Sequence, residues 1–214
     1  MSIKVAVVDH GSGNLLSVCR ALRHCGADVI QVDTQVAVDA ADRLVVPGVG
    51  AMADSMRGLE ERDLVEPIRR YAERERPLLG ICVGMQIMFE AGEEFGSHPG
   101  LGIFAGKVRQ IPRARDDGSR RKIPHIGWNS LSLPQRRNGW AGTILDGLSG
   151  EASAYFLHSY AVDPADDSVL LADSEYEDVR ICAAVQRGHV YGCQFHPEKS
   201  GETGLAILRN FLAL

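Results

Sequence analysis

The sequence predicts an α/β fold, a single open and mostly parallel sheet flanked by helices, with antiparallel strands at its edge. Two observations predict it. The first half of the chain alternates short apolar, β-capable runs with helix-period segments, the pattern of parallel strands joined by crossover helices. The second half carries closely spaced strand-like runs joined by short turns, the pattern of antiparallel pairing. With 214 residues, 45% of them apolar, one substantial core suffices, so residues 1–214 are read as one domain.

Taken in order, Val5-Ala6-Val7-Val8-Asp9 reads as a buried strand, followed by the turn Gly11-Ser12-Gly13. Leu15, Val18, Cys19 and Leu22 then recur at helical spacing over about 14–25, with Gly26 as the stop. Residues 28–32 and 43–46 are the next strands, the second ending in Pro47-Gly48-Val49-Gly50. Helical segments near 51–59 and 64–74 lead to a strand over 77–81, and a helix is predicted over 83–90. Downstream, 102–111, 131–134, 154–162, 169–172, 180–186 and 190–195 read as strands at the sheet's edge. A last helix is expected over about 202–213, with Leu205, Ile207, Leu208 and Phe211 supplying its apolar side. The charged stretch 113–122 reads as a solvated loop.

Composition excludes several function classes. A net charge of −5 and a pI of about 5.8 give no electrostatic case for nucleic acid. The amino terminus passes straight into a strand, with no signal-peptide pattern, and no apolar run approaches a membrane span. The five cysteines, Cys19, Cys25, Cys82, Cys182 and Cys193, are odd in number and include no C-x-x-C pair. A disulfide framework or zinc ribbon is therefore not expected, and a reducing cytoplasm is. The histidines show no H-x-x-x-H or H-E-x-x-H spacing, and Gly11-Ser12-Gly13 lacks the third glycine of G-x-G-x-x-G, where Leu16 stands. Neither a metal nor a cofactor is expected.

Two stretches carry chemistry. Gly80-Ile81-Cys82-Val83-Gly84 is G-x-C-x-G, the thiol counterpart of the G-x-S-x-G turn that presents a nucleophile between strand and helix. A free cysteine is usually a small core hydrophobe, but a merely buried one does not need glycines on both sides. A helix start after Cys82 would also favour its thiolate. The candidate base lies in Gln194-Phe195-His196-Pro197-Glu198: His196 falls at a strand end, and Glu198 is close enough to hold one ring nitrogen. An ordinary turn is the competing reading of His-Pro-Glu. H-x-E also opens a zinc-deaminase signature, but that needs a later P-C-x-x-C and no cysteine follows Cys193.

With these three residues placed, the sequence resembles the class I (triad) glutamine amidotransferases, and more narrowly the glutaminase subunits of imidazole glycerol phosphate synthase, from histidine biosynthesis. The stretches that carry the resemblance span almost the whole chain: Asp9-His10-Gly11-Ser12-Gly13-Asn14-Leu15, Pro47-Gly48-Val49-Gly50, Gly80 to Gln86, Pro124-His125-Ile126-Gly127-Trp128-Asn129, Tyr155 to Tyr160, and Gln194 to Gly201. His10 departs from the tyrosine common in that family. The resemblance implies hydrolysis of L-glutamine by a Cys82–His196–Glu198 triad, without cofactor or metal. It implies oxyanion donors from Val83 and from the loop at Val49 and Gly50, whose peptide must reorient before it donates. It places Gln86, His158, Ser159 and Tyr160 against the glutamine. It also implies a heterodimer with a (β/α)8-barrel cyclase subunit that receives the ammonia, with Trp128, Asn129 and Lys199 facing it. The rival readings are a subunit feeding ammonia to a different, sugar-modifying synthase, a stand-alone γ-glutamyl cysteine hydrolase, and a non-catalytic scaffold.

Overall fold

A computed structural model describes residues 3–149 and 151–214. Its first half is β1 (Ile3–Val8), α1 (Leu15–His24), β2 (Ala27–Val32), a one-turn α2 (Gln35–Asp39), β3 (Leu44–Gly48), α3 (Met52–Glu60), α4 (Val65–Ala72) and β4 (Leu78–Cys82). Its second half is α5 (Val83–Gln86), β5 (Phe89–Gly92), β6 (His98–Pro99), β7 (Phe104–Gln110), β8 (His125–Ser130), β9 (Ser153–His158), β10 (Tyr160–Pro164), β11 (Leu170–Tyr176), β12 (Val179–Arg187), β13 (Val190–Cys193) and α6 (Gly201–Ala213).

The main sheet has seven strands in the order β11-β12-β13-β4-β3-β1-β2. The pairs from β13 to β2 are parallel, and β12 and β11 add antiparallel strands at one edge. Every residue of β3, β4 and β13 is buried, as their continuous apolar runs require of strands covered on both faces. Of the residues their spacing selects, the helices bury Val18, Cys19 and Leu22 on α1 and Ile207, Leu208 and Phe211 on α6, whereas Leu15 and Leu205 are only partly buried and Leu212 joins the core instead.

The main sheet does not take every strand of the second half. β10, β7, β5 and β6 form a separate four-stranded sheet, and β8 pairs with β9 alone. The run expected over 154–162 breaks at Ser159 into β9 and β10. In β9 and β7 buried and less buried residues alternate, so each strand has one apolar face and suits a sheet covered on one side. The expected strand at 131–134 is reduced to one bridge, Ser132 with Asp173, and the nearby Pro134 cannot donate to a ladder.

The helix predicted over 83–90 ends after four residues, at Gln86. Backbone bonds then draw the chain into the second sheet: Leu101 N–H to the Ile87 carbonyl at 2.7 Å and Ile103 N–H to the Met88 carbonyl at 2.8 Å. Ile87, Met88 and Phe89 are all fully buried, so the stretch has no polar face to mark it as a surface helix.

The stretch 113–122 is less solvated than its charge suggests. Most of its side chains are exposed, but Arg121 is buried and pairs with Asp178, at the turn between β11 and β12. Asp178 also accepts the Asp116 N–H at 2.9 Å, and Arg115 reaches Glu177 at 3.4 Å. These contacts hold the Asp178 carboxyl down at about 2, with the Asp116 N–H first and Arg121 next among the causes. Its folded pKa lies below its unfolded value, so the strap's contribution is complete above about pH 4 and is lost as pH falls through about 2. Hydrogen exchange over 113–122 should therefore be slow at pH 6 and lose its protection in that acid window. Asp178→Asn should lose it at pH 6 as well; equal protection in the variant would show that the pair does not hold the strap.

Candidate active site

β4 delivers Cys82 to a sharp turn, where the backbone takes φ 56° and ψ −112° before α5 begins. A left-handed conformation at a non-glycine residue is costly, and it swings this side chain out of the sheet. The two glycines beside it make the turn possible. A Cβ on Gly80 would stand 2.6 Å from the Gly84 carbonyl oxygen, and one on Gly84 would stand 1.8 Å from that of Val46. Neither position admits a side chain. Because α5 has four residues, it presents a single turn of N–H groups and little macrodipole, so the state of the sulfur depends mainly on its side-chain neighbours.

His196 follows β13, the parallel neighbour of β4, so the two chain ends emerge side by side. Its N–H donates to the Tyr155 carbonyl at 2.9 Å, and a 3-10 turn over Pro197–Lys199 brings Glu198 back beneath the ring. His196 Nδ1 lies 2.9 Å from Glu198 Oε1, with the two side chains 3% and 1% exposed. The carboxylate fixes the proton on Nδ1 and leaves Nε2 for the sulfur. Burial alone would lower the His196 pKa, but Cys82 and Glu198 beside it outweigh that and raise it to about 9.

Cys82 and His196 share a cavity of about 410 Å³ whose walls include Val49, Gly50, Val83, His158, Ser159 and Tyr160. Gln86 also lines it, and its Nε2 donates both to the Tyr160 carbonyl at 2.9 Å and to Gln194 Oε1 at 3.0 Å. Both amide hydrogens are spent, so Gln86 meets a ligand only as an acceptor through Oε1. His158 offers no free ring nitrogen: Nδ1 lies 2.8 Å from the Tyr160 carbonyl oxygen, and Nε2 3.0 Å from His125 Nδ1. Burial lowers the His158 pKa to about 3, so the ring is neutral, and a ligand meets this residue through its backbone.

The first turn of the chain grips the loop at 47–50. Ser12 Oγ donates to the Val49 carbonyl at 2.7 Å, and His10 Nε2 lies 2.7 Å from the Pro47 carbonyl oxygen. Gly50 takes φ 83°, a conformation open to glycine. The departure from tyrosine at His10 thus falls on a residue that touches this loop. Sequence reasoning missed Glu94, the one carboxylate on the cavity wall among the described residues. Burial raises its pKa, offset in part by a backbone hydrogen bond at Met52. Nothing in the spacing of Glu93 and Glu94 singles it out.

Trp128, Asn129 and Lys199 lie outside the cavity. Pairing of β8 with β9 sets Trp128 opposite Tyr155, and Lys199 Nζ sits 5.9 Å from the Tyr155 ring centroid. Trp128 is 54% exposed, so its indole faces solvent and not the core. Asn129 turns inward, with Oδ1 3.1 Å from His125 Nε2 and Nδ2 donating to the Glu175 carbonyl. Among the described residues no group of three or more His, Cys, Asp or Glu side chains is arranged to hold a metal ion.

Residues 6–214 match the family model for glutamine amidotransferase class-I. Imidazole glycerol phosphate synthase subunit HisH 1 of Legionella pneumophila (strain Lens) is 46% identical over 98% of this chain and 99% of its own length. The HisH subunit of Thermosynechococcus vestitus is 44% identical over 98% and 96%. The solved structure of PurLQS from Thermotoga maritima aligns with a TM-score of 0.73 at 20% identity, covering 100% of this chain and 99% of that one, a likeness of fold. The chain belongs to the class I glutamine amidotransferases, in the family of HisH subunits of imidazole glycerol phosphate synthase.

Proposed function

We propose that the chain is the glutaminase subunit of an imidazole glycerol phosphate synthase in histidine biosynthesis, hydrolysing L-glutamine to L-glutamate and ammonia. The observation that carries this reading is Cys82 held at φ 56° on a cavity it shares with His196, whose ring is fixed by Glu198. The Cys82 thiolate attacks the carboxamide carbon, and His196 gives a proton to the departing ammonia. A water then cleaves the γ-glutamyl thioester, returning its proton to His196 and the electron pair to sulfur. The Val83 N–H, at the start of α5, and an N–H from the loop at Val49 and Gly50 stabilise the tetrahedral oxygen. Glu94 receives the α-ammonium of glutamine, and Gln86, Ser159 and Tyr160 hold the rest of the substrate.

The ammonia passes to a (β/α)8-barrel cyclase subunit that makes imidazole glycerol phosphate and AICAR, so the active species is a heterodimer in the cytoplasm. Exposed Trp128, Ile126 and Leu157, with Asn129 and Lys199 nearby, form the surface that meets it; Leu157 also lines the cavity. Among the described residues no helix is long and apolar enough to cross a membrane. The reaction needs no cofactor, and residues 1–214 act as one catalytic domain.

Cys82→Ala should abolish glutamine-driven synthesis by the heterodimer while leaving synthesis from added ammonium intact; residual glutamine-driven turnover would end the assignment. His196→Ala should slow glutamine hydrolysis by about 10²–10⁴-fold, and Glu198→Gln by less, since it keeps an acceptor for Nδ1. In an NMR titration the His196 pKa should fall in folded Cys82→Ala and in Glu198→Gln, because burial then meets less opposition. A value unmoved in both would show that neither group faces the ring. The Ser12 hydroxyl holds the Val49 carbonyl in the present conformer, so the free chain should turn over slowly and the partner with its acceptor should raise mainly kcat. Val49→Pro should keep the stimulated rate near the basal one, and a free chain already at full speed would rule out the switch.

A further inference from the structure

Gln194 is fully buried on the segment that carries His196, and neither the triad nor the glutamine contacts above use it. We propose that Gln194 is a catalytic residue that donates a side-chain N–H to the Cys82 sulfur and so holds it as a thiolate. The inference rests on Cys82 being the nucleophile and adds the second donor that the sulfur needs beside His196.

The polarity of this contact follows from a carbonyl that cannot be reversed. The Tyr160 backbone oxygen only accepts, so the Gln86 atom 2.9 Å from it is Nε2. That nitrogen has a second hydrogen, which meets Gln194 at 3.0 Å and requires an oxygen there. Gln194 therefore turns Oε1 to Gln86, and its Nε2 lies 3.7 Å from Cys82 Sγ. Flipping the Gln194 amide would set two N–H donors against each other between two buried side chains, an arrangement left without compensation. One backbone carbonyl thus dictates, through two amides, that the sulfur faces a donor. A thiolate accepts that hydrogen bond, and ionised acceptors strengthen it. A thiol must instead aim its proton elsewhere, and the Leu157 carbonyl at 4.0 Å is a distant recipient.

The titratable groups around the sulfur leave this role open to a neutral donor. His196 approaches from the end of β13 with Glu198 behind it, and supplies positive charge. Cys193 on the same segment is kept a neutral thiol by burial. His158 on β9 is kept neutral by burial and spends both ring nitrogens elsewhere. Glu94 on the cavity wall brings a carboxylate, which opposes a second negative charge. Gln194 is an uncharged group that favours the thiolate without adding charge to the site.

The test is the pH dependence of Cys82 carbamidomethylation by iodoacetamide, read by mass spectrometry of its peptide, with glutamine kcat and KM measured in the heterodimer. Gln194→Met keeps the length of the side chain and removes the donor. It should slow labelling at neutral pH by about 10- to 100-fold, with rates converging at high pH. It should lower kcat by a similar factor while KM changes less. Gln194→Glu keeps the acceptor for Gln86 but sets a carboxylate against the sulfur, and should move the profile further towards high pH. Either variant, folded by circular dichroism, with a wild-type profile and kcat overturns the proposal. Should both fail to fold, the wild-type chain decides: the Gln194 side-chain amide resonances should titrate with the labelling rate, and amides blind to Cys82 ionisation overturn it. Labelling needs neither partner nor glutamine, so an unchanged profile removes Gln194 alone, whereas glutamine turnover by Cys82→Ala removes the triad.

Discussion

Gly84 stands so close to the Val46 carbonyl oxygen that a Cβ there would lie 1.8 Å from it. That approach of α5 to β3 fixes the turn at Cys82, and the site follows from the turn. It forces the chain to leave β4 at φ 56°, which lifts the thiol out of the sheet. It also brings the 47–50 loop, which continues β3, against the same turn: a Cβ on Gly48 would meet the Gly84 nitrogen at 2.6 Å. Any side chain at Gly84 would separate nucleophile and loop together, so two parts of the chemistry share one packing constraint.

Parallel pairing supplies the rest of the geometry. β13 runs beside β4 with Cys193 opposite Ile81, so the next residues on both strands leave the sheet at one edge. His196 reaches Cys82 because of that register, and the edge where parallel strands end is the general place for ligands in such sheets. The walls come from the smaller sheets: β9 and β10 bring His158 and Tyr160, whose carbonyl holds Gln86 and, through it, Gln194. Layers that share no ladder with the catalytic strands thus set the orientation of groups at the sulfur.

The alternation of apolar runs and helical spacing made the parallel half of the sheet legible, and two glycines with His-Pro-Glu made Cys82, His196 and Glu198 legible. Three things were not. The end of α5 at Gln86 is set by long-range bonds from Leu101 and Ile103, which no local pattern encodes. The strap at 113–122 looks like free charge until Glu177 and Asp178, some sixty residues on, are found opposite it. Glu94 lies in no motif, and Gln194, although it opens the stretch that holds His196 and Glu198, has nothing in that stretch to mark it as a donor to sulfur; their importance comes from a cavity wall and from the chain of amides behind it. The one-turn α5 also weakens the helix-dipole case for a thiolate and shifts that task to His196 and Gln194.

By this mechanism Cys82 forms a covalent bond to the substrate. Acid quenching of the heterodimer during glutamine turnover, followed by peptide mapping, tests it most directly. A γ-glutamyl group should be found on the peptide carrying Cys82 and on no other cysteine peptide, rising and decaying with turnover. Glutamine consumed at the full rate with no acyl group trapped on Cys82, or with one trapped on Cys19, Cys25, Cys182 or Cys193, would contradict the account.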